Sequence, residues 1–279
     1  MQTQSSMEKK KILFVSQEIF PFLPKSEISA TARKLPQGIQ ESGKEIRVFT
    51  PRFGAINERR HQLHEVIRLS GMNIVIDDQD HPLIIKVASI SQAKMQVYFI
   101  DNEEYFKRKT NIVDDHGVDF PDNDERSVFF CRGVLETVKK LGWQPDVIHC
   151  NGWMTLPMGL YLKKIYAKDP HFANTRVVYN MFNQEFTNDW DPRLAEKLKF
   201  DGFGDDVTSK FEKTDFLSVT EGMLNYVDGV NVGSENLSEG LQNIYTNLAC
   251  MKTPFVPEEY QTKSLAEFFD KIIEAELCL

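Results

Sequence analysis

The chain has 279 residues, 41% hydrophobic and 27% charged, the balance of an ordinary globular protein with enough length for a sizeable core. Its 33 basic side chains against 41 acidic ones leave a net charge of −8, which argues against a phosphate-backbone binder built on clustered Lys and Arg. No apolar run approaches the roughly 20 residues that span a bilayer, and the polar first ten residues lack the apolar core of a signal peptide.

Cys131, Cys150, Cys250 and Cys278 are widely spaced and form no C-x-x-C pair. Neither a zinc site nor a disulfide framework is expected, and reduced thiols in the cytoplasm are the default. Residues 1–10 read as a disordered tail, with Lys9-Lys10-Lys11 a solvated basic flank of the first strand.

Lys11–Ser16 is a short continuous apolar run, the pattern of a strand buried on both faces. A Pro-rich loop follows, then a helix carrying Ile28, Ala32, Leu35 and Ile39 on one face, ended near Gly43. Ile46–Thr50 is the next strand, which completes a β-α-β unit. Ile74–Ile76, Leu83–Val87 and Gln96–Ile100 are strands with short polar connections and predict a small antiparallel insertion. Asp77-Asp78-Gln79-Asp80 reads as a turn rather than a calcium loop.

The α/β alternation then resumes. Helices are expected at 124–141, 156–167, 216–226 and 235–245, and strands at Pro145–His149, Thr175–Tyr179 and Gly229–Val232. After Asn247 the pattern stops. Residues 253–257 read as an extended linker, and Ser264 as the cap of a last helix bearing Leu265, Phe268, Phe269, Ile272 and Ile273. The expected fold is a doubly wound, mostly parallel Rossmann-like α/β sheet over 11–247, with an antiparallel β insertion. Residues 248–279 are expected to supply a linker and a docked helix.

The order of short motifs resembles the glycogen/starch synthases, retaining glycosyltransferases that use ADP-glucose. Lys11 to Phe22 reads KILFVSQEIFPF, followed by Leu35-Pro36, Gly43, Val48 and Pro51-Arg52. Tyr98–Phe106 (YFIDNEEYF), Phe120–Phe130 (FPDNDERSVFF), Asp146–His149 and Tyr226–Ser234 match further family segments in the same order. The resemblance implies one half of a GT-B architecture, in which two Rossmann-like domains face each other across a cleft. It implies the acceptor-side half. A nucleotide-sugar domain of about 200 further residues would be expected beside it.

The family's chemistry-bearing positions are altered. Its loop after the first strand reads Lys-x-Gly-Gly-Leu-x-Asp-Val, in which glycines let backbone N–H groups approach the donor's phosphates. Here Pro24 stands at the Lys position, Ser26 and Glu27 replace the glycines, and Ala30 replaces the Asp. Lys25 is either a partial substitute for the lost charge or a plain surface lysine. The family's His-Asp-Trp-His-Thr is Asn151-Gly152-Trp153-Met154-Thr155, which retains no group for acid–base work near neutral pH. Its Thr-x-His-Asn-x-x-x-Gln-Gly keeps Asn180 and Gln184, but Tyr179 replaces His and Glu185 replaces Gly.

Trp153, Tyr179, Asn180 and Gln184, with Trp190 beside them, are the glucan-binding candidates, because open α/β sheets bind ligands beyond strand C-termini. The competing reading for Trp153 and Tyr179 is packing. His149 reads as a satisfied core histidine, and Asp122 and Asp124 as helix caps. No residue is assigned as catalytic, and no cofactor or metal is expected. The implied partner is an α-1,4-glucan or maltooligosaccharide, with ADP-glucose disfavoured and neither nucleic acid nor membrane expected. Three readings stay open: a non-catalytic lone acceptor-side domain, a glucosyltransferase completed by a partner chain, and a structural module that dimerises through its last helix.

Overall fold

The apolar run Lys11–Ser16 is a strand at the centre of the sheet, with Ile12 to Val15 buried. A computed structural model describes residues 9–275. Its strands are β1 (Lys11–Ser16), β2 (Glu45–Pro51), β3 (His64–Glu65), β4 (Met72–Ile76), β5 (Gln79–Ile90), β6 (Met95–Asp101), β7 (Val147–Asn151), β8 (Arg176–Met181), β9 (Gly229–Val232) and β10 (Met251–Thr253). Its helices are α1 (Glu27–Glu41), α2 (Glu58–His61), α3 (Glu103–Phe106), α4 (Asn123–Lys140), α5 (Pro157–Lys164), α6 (Leu194–Phe200), α7 (Asp205–Thr208), α8 (Phe216–Leu224), α9 (Glu239–Asn247) and α10 (Glu258–Glu274).

The sheet runs β10-β9-β8-β7-β1-β2-β6-β5-β3, with β4 paired to β5. From β10 to β6 every pairing is parallel. The expected insertion is antiparallel and extends the sheet's edge, since β5 pairs β6, and β3 and β4 pair β5. Asp77 (φ 44°) and Asp78 (φ 64°) form the tight turn between β4 and β5, where left-handed backbone at both central residues matches strand twist.

The chain steps from β1 to β2 in one direction and from β7 through β8 to β9 in the other. Right-handed crossovers therefore place α1 on one face and α5 on the opposite one. α4 and α8 pack with α5, and α10 packs beside α1. The core is continuous across both faces.

Two expectations for the C-terminal part change. The parallel sheet does not stop at Asn247, because Met251–Thr253 adds a strand against β9. Three residues, two of them polar, carry no periodicity by which to see it. The last helix starts at Glu258 after Pro257, and Ser264 lies inside it. Glu258 and Glu259 supply first-turn carboxylates, which the positive end of the helix favours.

α10 is docked on the core. Phe269 is fully buried, with its ring edge-on to Phe14 (6.4 Å) and His149 (5.3 Å). Gly229 makes room for it, since a Cβ there would meet Ile272 Cδ1 at 2.4 Å. Arg176 Nε donates to Ile272 O (3.2 Å), and Lys44 pairs with Asp270 (3.0 Å). The apolar stripe that would have served a dimer is therefore used within the chain. Cys131 and Cys150 are buried free thiols and Cys250 is half-buried and free, while Cys278 and residues 1–8 lie outside the described residues. Among the described residues no helix is long and apolar enough to cross a membrane.

Candidate functional site

The strand order reverses between β1 and β7, and open α/β sheets bind ligands in the crevice beyond the strand C-termini at such a point. The loops after β1, β7, β8 and β9 line that crevice. Gln17 lies at its floor. Its Oε1 accepts Met154 N–H (3.1 Å), and its Nε2 donates to Gln184 Oε1 (3.3 Å). Gly152 beside it has φ +87°, and a Cβ there would meet Gln17 Cβ at 2.8 Å, so that turn requires glycine.

Beneath the floor, three asparagines and a histidine from three adjacent strands close a hydrogen-bonded ring. Asn151 Nδ2 donates to His149 Nδ1 (3.3 Å), which leaves Nε2 as the protonated nitrogen. That N–H donates to Asn231 Oδ1 (3.0 Å), Asn231 Nδ2 to Asn180 Oδ1 (2.6 Å), and Asn180 Nδ2 to Asn151 Oδ1 (2.8 Å). All four side chains are buried. Burial holds the His149 imidazole neutral, with its pKa lowered to about 4 against the opposing bond to Asn231. It is a satisfied core histidine, as the sequence suggests.

The helix N-terminus that faces the crevice is closed by side chains. Ser26 caps α1: its Oγ accepts Ser29 N–H (3.0 Å), and Ser29 Oγ accepts Ser26 N–H (2.7 Å). Ser26 Oγ donates to Glu18 (2.5 Å), and Ser234 Oγ donates to Glu27 (2.6 Å). Two carboxylates thus meet the positive end of α1, where an incoming anion would be attracted. A third, Glu185, accepts from Ser238 Oγ (3.0 Å) at the start of α9. Pro24 and Lys25 are exposed, and Ala30 lies half-buried in the first turns of α1.

The glucan candidates do not share a surface. Trp153 is fully buried, its ring edge-on to Phe186 (5.4 Å) and Trp190 (6.3 Å). Tyr179 and Asn180 are buried as well, and burial pushes the Tyr179 phenol well above its ordinary pKa. Only Gln184 is half-open, within the loop that carries exposed Asn183 and Glu185. For Trp153 and Tyr179 the packing reading describes their placement. Gln17, Glu18 and Ser234 were not singled out as site residues, although Gln17 and Glu18 directly follow a central strand, which marks that position.

The helix-cap reading holds for Asp122 in position only, since it is the N-cap residue of α4, and is corrected for Asp124. Asp122 stands at the start of α4 without a capping bond and pairs with Arg108 instead. Asp124 is buried. With Glu125 and Asp191 it forms a carboxylate group compact enough for a cation, but Lys197 Nζ reaches all three at 2.7–2.8 Å. The ammonium is the cation this cluster holds.

The model of the starch synthase catalytic domain matches residues 11–250. The chain belongs to the starch synthase catalytic domain family. The glycogen synthase of Chlorobium limicola is 40% identical over 174 residues, which cover 62% of this chain and 36% of that protein. The glycogen synthase of Chlorobaculum tepidum is 38% identical over 202 residues, covering 69% of this chain and 41% of that protein. The chain thus matches well under half the length of these relatives. The catalytic domain of starch synthase IV from Arabidopsis thaliana, bound to ADP and acarbose, superposes with a TM-score of 0.64 at 17% identity, over 80% of this chain and 44% of that one. That likeness shows the shared Rossmann-like half of a GT-B fold. In this starch synthase-type chain, α10 lies outside the matched residues.

Proposed function

We propose that this chain is the acceptor-side lobe of a glycogen/starch synthase-type protein, and that by itself it binds α-1,4-glucan with little or no glucosyl transfer. The observation that carries this reading is the closed N-terminus of α1. The Ser26–Ser29 capping box and the carboxylates of Glu18 and Glu27 stand where a nucleotide diphosphate would need donors. A diphosphate would meet like charge there, and Pro24 contributes no N–H. Asn151 and Met154 supply no acid or base, and His149 is locked neutral in the ring.

Several features support sugar binding at the crevice. Gln184 and Asn183 offer amides at its rim, and exposed Phe20 belongs to the loop that follows Gln17. Transfer of labelled glucose from ADP-glucose to glycogen tests the reading. The purified chain is expected to give no incorporation above the level without protein. Sustained incorporation by the chain alone would overturn it. Incorporation only when a second chain is added would instead favour a glucosyltransferase assembled from two polypeptides.

A further inference from the structure

The loops that border the crevice close on one another in a frame. Gln17 Nε2 donates to Gln184 Oε1 (3.3 Å), and Glu18 follows Gln17. Ser26 Oγ donates to Glu18 Oε2 (2.5 Å), and Glu27 follows Ser26. Ser234 Oγ donates to Glu27 Oε2 (2.6 Å) and accepts the N–H of Asn183 (2.9 Å), which precedes Gln184. The frame is thus drawn from the loops after β1, β8 and β9 and returns to its starting residue. Each side chain in it is held by one polar atom and keeps another open. Among the described residues, Glu18 Oε1, Glu27 Oε1 and the Gln184 NH2 have no partner.

Beside the frame, the segment Ile19-Phe20-Pro21-Phe22-Leu23 turns out one aromatic ring. Ile19, Phe22 and Leu23 are buried, while Phe20 is 43% exposed. The Phe20 N–H is fixed to Ser29 O (3.1 Å) in the first turn of α1. A phenyl face, two carboxylate oxygens and an amide NH2 match the surface of a pyranose. Its C–H groups lie on the aromatic face, its hydroxyls donate to carboxylates, and an amide donates to a hydroxyl oxygen. The charge of the site has one sign. Segments 17–27, 183–185 and 233–238 carry Glu18, Glu27, Glu185 and Glu235 against Lys25 alone.

We propose that Glu18 and Glu27 accept hydroxyls of one pyranose unit here and make the crevice selective for uncharged over phosphorylated glucan. A phosphate ester on the bound sugar would meet both carboxylates in a partly desolvated site, where like charges repel more strongly than in bulk water. The assignment rests on the glucan reading of the same crevice and adds to it which residues touch the sugar and which sugars they refuse.

Calorimetric titration of the whole chain with maltotriose, and with maltotriose carrying a 6-phosphate, tests it. The parent is expected to bind the uncharged sugar at least about tenfold more tightly at low salt, and added salt should narrow the gap. Glu27→Gln keeps the volume and still offers Ser234 an acceptor, so thermal melts should match the parent. It is expected to weaken maltotriose about fivefold and to reduce the preference over the phosphorylated sugar by about as much. Phe20→Ala should weaken both sugars alike and leave the preference in place. Binding of neither sugar by the parent up to about 10 mM would overturn the glucan reading and this assignment together. Equal affinity of the parent for the two sugars, or a preference that Glu27→Gln leaves unchanged, would overturn the assignment alone.

Discussion

Replacing Lys197 by Met is expected to cost about 3 kcal/mol of stability, or a drop of roughly 6–12 °C in Tm at neutral pH. The ammonium is nearly buried and, among the described residues, is the only cation paired with Asp124, Glu125 and Asp191, at 2.7–2.8 Å. Without it, three carboxylates meet with no counter-charge, one of them wholly inside. Burial of Lys197 disfavours its charge, but the surrounding carboxylates outweigh that and raise its pKa. Burial also lifts Asp124 from its ordinary 3.8 to about 6, against the pull of Lys197. A raised carboxylate pKa means that the folded state binds the proton first as pH falls. The Asp124 contribution is therefore fully present below about pH 4 and lost as pH rises through 6. In the variant the pull of Lys197 is gone, so the deficit should be largest at pH 8 and shrink below pH 6. Thermal melts at pH 5 and pH 8 check this. Lys197→Arg should recover most of the loss. An equal deficit at both pH values would show that the residue acts by packing rather than charge.

Asn180→Leu is expected to cost about 2–4 kcal/mol, read as a lower urea midpoint at unchanged slope. The substitution keeps the volume but strands Asn151 Oδ1 and the Asn231 amide, both buried and both bonded only around the ring. The ring also fixes the tautomer of His149. Nitrogen chemical shifts should report Nε2–H in the parent and a disturbed ring in the variant. Because His149 is held neutral with its pKa near 4, the unfolded chain takes up that proton first. Its contribution is complete above pH 6.5 and falls away as pH drops towards 4. If Asn180 were a sugar ligand, the substitution would weaken maltooligosaccharide binding and leave stability nearly intact. That outcome would contradict its placement in the ring.

The fold was legible because its strands are short apolar runs spaced by amphipathic helices. Lys11–Ser16 and Gly229–Val232 each lie in the sheet where that pattern puts them. β10 was not legible, since three residues held by a neighbouring strand and by Lys252 at the end of α9 carry no pattern of their own. The start of α10 was misplaced because Ser264 has the chemistry of a cap, whereas the chain turns at Pro257. At the site, motif comparison located Ser26, Glu27, Asn151 and Glu185 as departures. It did not show that Ser26 pairs with Ser29, or that Glu27 reaches Ser234 some 207 residues away. Trp153 and Tyr179 looked like ligands by residue type and strand-end position. Burial decided their placement, and for Trp153 it comes from Phe186 and Trp190 of the 183–190 loop packing against the indole.

The account rests on a crevice whose anion-binding end is filled by the protein's own carboxylates. Calorimetric titration of the intact chain with ADP-glucose, beside a maltooligosaccharide, measures this directly. The expected result is saturable heat with the oligosaccharide and none with ADP-glucose at about millimolar concentration. Tight ADP-glucose binding that Lys25→Ala abolishes would place a nucleotide-sugar against Ser26 and Glu27 and contradict the account.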